Sequence, residues 1–259
     1  MSRNFELMQR AGKAWAVPPV IPIGKTQPGI SVRKRPIWET LPRHEGGLDV
    51  SHLAREEALR LVQSIFPLSA EAAPRLVVFA GIDHGNGCSQ ICSEAAKVLE
   101  NQGSGSVCLV EANFRSPSLP QSFGITNHHG LTDSLIADGP IRTFARPLYS
   151  DRFWFLSSGS IASDSHALLN SGRLLGRFDE LRSEFDYVVV DAPPLTHYSD
   201  AIALGKAADG FVLILEANST RREAAVKISE NLRENQVRVL GAVLNKRTFP
   251  IPDRLYRSL

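Results

Sequence analysis

The sequence predicts an α/β protein with a mostly parallel, twisted sheet and helices on both faces. Three observations carry the expectation. Apolar runs of strand length recur along the chain, helical stretches separate them, and the first run, Leu76–Ala80, passes at once into a glycine-rich turn. Strands that read as unbroken apolar runs are buried on both faces, and the helices between them are what parallel pairing requires.

Taken in order, residues 1–48 are expected to form a proline-rich arm. Prolines at 18, 19, 22, 28, 36 and 42 and the basic triplet Arg33-Lys34-Arg35 interrupt any period there. Within it, Phe5–Ala11 fits a short amphipathic helix. The α/β domain is placed at 49–259. It opens with a helix through Glu56–Val62, then strand Leu76–Ala80, a helix from Ser89 to about Asn101, and strand Val107–Val110. A short helix near 131–136 follows, then strands Phe153–Leu156, Tyr187–Val190, Gly210–Leu215 and Val239–Leu244, with helices near 167–184, 199–207 and 220–234. Thr220 and Glu223 have the spacing of a capping box at the start of the last helix.

Bulk numbers narrow the partners. A chain of 259 residues with 43% hydrophobic residues is long enough for one sizeable core. Net charge of +2, from 29 basic and 27 acidic residues, gives no field that would coat nucleic acid, so no nucleic-acid partner is expected. Three cysteines, Cys88, Cys92 and Cys108, do not build a disulfide framework, and a reducing cytoplasm fits them. No stretch approaches the ~20 apolar residues that span a bilayer, so a cytoplasmic chain is expected, reaching the inner face of the plasma membrane through a partner.

The chemistry is expected where strands end. Gly81-Ile82-Asp83-His84-Gly85-Asn86-Gly87-Cys88-Ser89 runs from strand into helix, the setting in which backbone N–H groups wrap phosphate at a helix N-terminus. A phosphate loop of this kind ends Gly-Lys-Ser/Thr, the lysine supplying a point charge and the hydroxyl holding Mg²⁺. Here Cys88 stands in the lysine place, and a plain glycine turn remains the alternative. Two more strands end in polar groups, at Glu111-Ala112-Asn113-Phe114-Arg115 and at Asp191-Ala192-Pro193-Pro194. Cys88 and Cys92, one helical turn apart, suggest soft-metal capture only weakly, because no histidine or third cysteine completes a ligand spacing. Small buried residues are the plainer expectation.

These stretches, with Gly130-Leu131-Thr132-Asp133-Ser134-Leu135 and Gly241-Ala242-Val243-Leu244-Asn245, resemble the bacterial tyrosine kinases that regulate capsule and exopolysaccharide export. That family belongs to the deviant Walker-A branch of the P-loop NTPases, and the resemblance covers about residues 51–247. It implies that Gly85, Asn86, Gly87, Cys88 and Ser89 line the phosphates of ATP, with Ser89 and Asp191 serving Mg²⁺. It further implies Asn245 at the adenine edge, Glu111 and Asn113 at the positions of metal-binding and proton-accepting aspartates, and Arg115 in the same loop. The family's subunit-contact motif corresponds to Glu57 and Arg60, with Gln63 at its last place, which implies a homo-oligomer. The implied partner is a membrane polysaccharide co-polymerase.

The departures set the expected activity. Cys88 removes the ammonium and Asn113 cannot accept a proton at neutral pH, while Lys97 lies about 13 Å along the helix. The sequence is therefore read as a kinase-like regulatory subunit with nucleotide binding weakened or lost. An active autokinase or ATPase using Arg115, and a partition-type positioning ATPase, are the alternatives. Of the family's C-terminal tyrosine cluster only Tyr256 is present, and packing is its plainer role.

Overall fold

In a computed structural model of the chain, residues 20–22, 50–67, 73–103, 105–160, 165–169 and 172–247 are described. The expected helix at Phe5–Ala11, the triplet Arg33–Arg35 and Tyr256 lie outside them. Among the described residues no helix is long and apolar enough to cross a membrane.

The elements follow in chain order as β1 (Val20–Pro22), α1 (Val50–Ile65), β2 (Leu76–Gly81), α2 (Cys88–Asn101), β3 (Val107–Glu111), α3 (Leu119–Phe123) and α4 (Leu131–Ile136). A 3₁₀ turn at Ile141–Thr143 leads to β4 (Arg146–Pro147), β5 (Phe153–Leu156), α5 (Ser165–Leu169), α6 (Arg173–Glu184), β6 (Tyr187–Ala192), α7 (Asp200–Ala207), β7 (Gly210–Glu216), α8 (Arg222–Glu234) and β8 (Val239–Asn245). The eight-stranded sheet runs β1-β8-β7-β2-β6-β3-β5-β4. Every neighbouring pair is parallel except β4 with β5.

Alternation within each run explains why the strands read as continuously apolar. Leu76, Val78 and Ala80 of β2, Cys108 and Val110 of β3, and Val188 and Val190 of β6 join one core cluster. It is covered by Phe178 and Leu181 of α6 and Ala201 and Leu204 of α7. Val77 and Phe79, Val107 and Leu109, and Val189 turn the other way, onto Leu61 and Val62 of α1 and Ile91, Ala95 and Leu99 of α2. Both faces of a strand of period two are thus buried.

Several expectations meet a different outcome. Within the stretch read as an arm, Val20–Pro22 pairs in parallel with Ala242–Leu244 at one sheet edge. The helix expected at 167–184 is assigned as α5 and α6. The capping box at Thr220 does not form, because α8 starts two residues later and the Thr220 hydroxyl accepts the Glu216 N–H at 2.9 Å. α3 and the antiparallel strand β4 were not foreseen, being too short to show a period.

One side chain ties the elements on the α6 face. Arg177 is 7% exposed and donates to the carbonyls of Ser134, Ala137 and Gly139 at 2.8, 2.7 and 2.7 Å. It also pairs with Glu180 at 2.9 Å. The carbonyls leaving α4 have no acceptor role inside that helix, and the guanidinium fork supplies the donors they need.

Candidate phosphate-loop site

Strands β3 and β7 flank the central pair β2 and β6 on opposite sides, so crossovers from this pair diverge and leave a crevice at the carboxyl ends of the strands. Gly81, Glu111, Asp191 and Asn245 stand at the ends of β2, β3, β6 and β8. Glu111 and Asp191 are direct register partners, and both project to the α2 face because Val110 and Val190 project to the other.

The loop from β2 to α2 is held from within. Gly85 and Gly87 have φ of 79° and 83°, in the left-handed region that glycine adopts without strain. The Asn86 side chain is buried and its Oδ1 accepts the Asp83 N–H at 3.0 Å, while its carbonyl accepts Asn245 Nδ2 at 2.7 Å. Leu195 and Thr196 donate their N–H groups to the carbonyls of Gly81 and Ile82, both at 3.0 Å. These bonds pin the loop to the segment that follows Asp191. Gly87 brings no side-chain cap to α2, so the first-turn N–H groups keep their donors for a ligand.

Gly87→Ala is expected to break this arrangement. A Cβ there would collide with Asn245 Nδ2, in a backbone region that L side chains rarely adopt. Urea unfolding should show a loss of about 2 kcal/mol, from left-handed strain and the lost Asn245 bond together. A loss below ~0.5 kcal/mol would contradict the packing described.

Two buried carboxyls face the loop. Asp191 is 1% exposed, its Oδ1 accepts the Cys92 thiol at 3.9 Å, and its Oδ2 has no protein partner. Burial pushes its pKa up to about 6, although contacts from Ser89, Cys88 and Cys92 act against that. Glu111 is fully buried, and Oε1 accepts the N–H groups of Ser118 and Leu119 at 2.6 and 3.0 Å, while Oε2 is unpartnered. Burial carries its pKa up to about 8, against those two bonds, with the Asp191 charge adding to the rise.

The thiols sit where a cation was expected. Cys88 is half-buried, and its pKa is raised well above the ordinary value, first by its hydrogen bond with Cys92 and then by burial. Burial raises Cys92 to about 11. Both are neutral at physiological pH, so the site carries no thiolate. Lys97 is turned to Glu94 at 2.9 Å.

The remaining sequence-predicted residues are placed less centrally. Asn113 bridges its own turn, its amide donating to the Ser116 carbonyl at 3.2 Å and accepting the Ser116 N–H at 3.3 Å. Arg115 pairs with Asp200 at 3.5 Å and covers the Tyr198 ring at 4.4 Å. Asn245 reaches the loop itself, with its donor committed to Asn86. Thr132 and Asp133 spend their polar groups on residues 158–160 and on the Gly130 N–H, which gives that motif a structural use. Exposed Arg60 pairs with half-buried Glu57 at 3.2 Å, one helical turn apart.

The chain is 29% identical over 177 residues to the tyrosine-protein kinase YwqD of Bacillus subtilis, covering 68% of this chain and 74% of that one. The chain is a relative of the bacterial tyrosine kinases. Among solved structures, the kinase domain of Escherichia coli tyrosine kinase ETK superposes with a TM-score of 0.78 at 17% identity, covering 97% of this chain and 98% of that one. MinD, the septum site-determining protein of Pyrococcus horikoshii, superposes at 0.57 with 16% identity over 71% of this chain and 76% of that one. No family model matches the chain. The chain therefore shares the fold of these structures, a mostly parallel sheet with helices on both faces, as its sequence predicts.

Sequence reasoning missed two features of the site. Asp191 completes a group with Cys88 and Cys92, for which no histidine or third cysteine was found, because strand register and not spacing brings it there. Thr196 also escaped notice, although its hydroxyl holds Asp83 at 2.6 Å and the Ile82 carbonyl at 2.8 Å. A hydroxyl two residues after a diproline gave the only signal.

Proposed function

We propose that the chain is a kinase-like regulatory subunit of capsule or exopolysaccharide export, which holds Mg–ATP weakly and transfers phosphate poorly. It would act on a membrane polysaccharide co-polymerase, the partner that the family resemblance implies. The observation that carries this reading is a retained cradle with its cation replaced. Gly85 and Gly87 keep the loop's shape, while Cys88 sets a neutral thiol against Cys92 and Asp191.

The residues present fit a nucleotide with magnesium in part. Open N–H groups at the start of α2 suit phosphate oxygens, and the unpartnered Asp191 Oδ2 and the Ser89 hydroxyl suit a hard cation with its waters. Magnesium would neutralise charge on the phosphates. What this chain cannot do is place an ammonium against them or accept the substrate proton at Asn113, whose amide is spent on its own turn. Arg115 is a poor substitute cation, since Asp200 and Tyr198 already hold it.

The test is Cys88→Lys. A charge-assisted contact is worth roughly 1.5–3 kcal/mol, so calorimetry should show Mg–ATP binding tightened by about one to two powers of ten. Unchanged affinity would count against the phosphate pose. A radiolabel autophosphorylation assay decides the activity: strong labelling of the natural chain, abolished by Asp191→Ala, would establish a working kinase instead.

A further inference from the structure

The first turn of α2 holds a second kind of chemistry. Cys88 and Cys92 share one helix face, being four residues apart, and the Asp191 carboxylate meets them from the end of β6. The three ligand atoms all lie within 4.8 Å of one another. Asp191 is 1% exposed, its Oδ1 accepts the Cys92 thiol at 3.9 Å, and its Oδ2 has no protein partner, so the carboxylate that joins the group keeps a buried oxygen unsatisfied. Cys88 is half-buried as a residue, while Cys92 is fully buried.

Two sulfurs and one carboxylate oxygen are a donor set with a preference. Hard Mg²⁺ selects oxygen ligands, whereas thiolates select zinc and other soft cations. Tetrahedral zinc, with sulfur at about 2.3 Å, sets two sulfurs about 3.8 Å apart, so small side-chain rotations bring this group to coordination distance. We propose that Cys88, Cys92 and Asp191 form a binding site for a thiophilic divalent cation of the zinc class, with water completing its coordination.

Binding exchanges two S–H bonds for two S–Zn bonds and releases both protons to solvent. A dication with two thiolates and one carboxylate carries one net negative charge, the same as the metal-free site with neutral thiols and ionised Asp191. The ion therefore does not restore the missing ammonium. It requires no nucleotide, so its test stands apart from that of the proposed function.

The test uses the full chain, reduced with a phosphine, freed of metal with a chelator and titrated with Co²⁺. A sulfur-to-cobalt charge-transfer band should grow to saturation at one equivalent and be bleached by Zn²⁺. Cys88→Ser and Cys92→Ser should each remove about half of the band and weaken zinc binding beyond the ~10–100-fold typical of outer partners. Asp191→Asn should keep the band and lose affinity, while Cys108→Ala, in β3 on the other face, should change nothing. X-ray absorption on the zinc-loaded natural chain needs no variant and should count two sulfur ligands. Absence of a saturable band, a band that persists in the double cysteine variant, or a sulfur count of zero would overturn the site.

Discussion

Arg177→Ala is expected to lower the stability of the domain by about 3–5 kcal/mol, the range for removing one partner of a buried charged network. The guanidinium is the shared donor of three carbonyls, those of Ser134, Ala137 and Gly139, and the ion partner of Glu180. Glu180 in turn accepts the Ile141 N–H at 3.0 Å. Alanine leaves the carbonyls short of donors and the carboxylate short of its cation, and also removes the guanidinium from over the Phe144 ring. Urea unfolding measures the loss. Arg177→Lys should recover less than half of it, because an ammonium cannot reach three carbonyls in one plane. A loss below ~1 kcal/mol, or full recovery by lysine, would show that the network is solvated and idle.

This residue marks where sequence reading stops. The central strands were legible because they are buried on both faces, and Leu76–Gly81 or Tyr187–Ala192 therefore announces itself as an unbroken apolar run. The loop was legible because Gly85 and Gly87 answer a local need of the backbone. Arg177 looked like any charged helix residue, since the carbonyls it serves lie 38–43 positions away in sequence. Thr220 failed for the converse reason: its spacing fitted a capping box, but the turn after β7 claimed its hydroxyl first. Spacing within one element could be read. Pairing between elements, including the register that sets Glu111 beside Asp191, could not.

The same register yields the second large effect. Glu111→Gln is expected to make the metal-free chain more stable than its natural counterpart at pH 8.5, by about 3 kcal/mol, and to flatten its stability between pH 6 and 8. The sign follows from burial. Glu111 titrates at about 8 in the folded chain against an ordinary 4.5, so between those values the folded state binds a proton that the unfolded state has released. Stability is full below pH 4.5 and falls as pH rises through that window. Asp191, raised from 3.8 to about 6, adds a loss confined to the lower part of it. From pH 6 to 8 the decline therefore belongs to Glu111. Glutamine keeps the oxygen that accepts the Ser118 and Leu119 N–H groups and replaces the unpartnered oxygen by a donor near the Asp191 charge. Urea midpoints measured with a chelator at pH 6 and 8.5 decide the matter. If the natural chain and the variant decline in parallel, Glu111 is ionised in the folded state, and the carboxyl would then already carry the charge a cation needs.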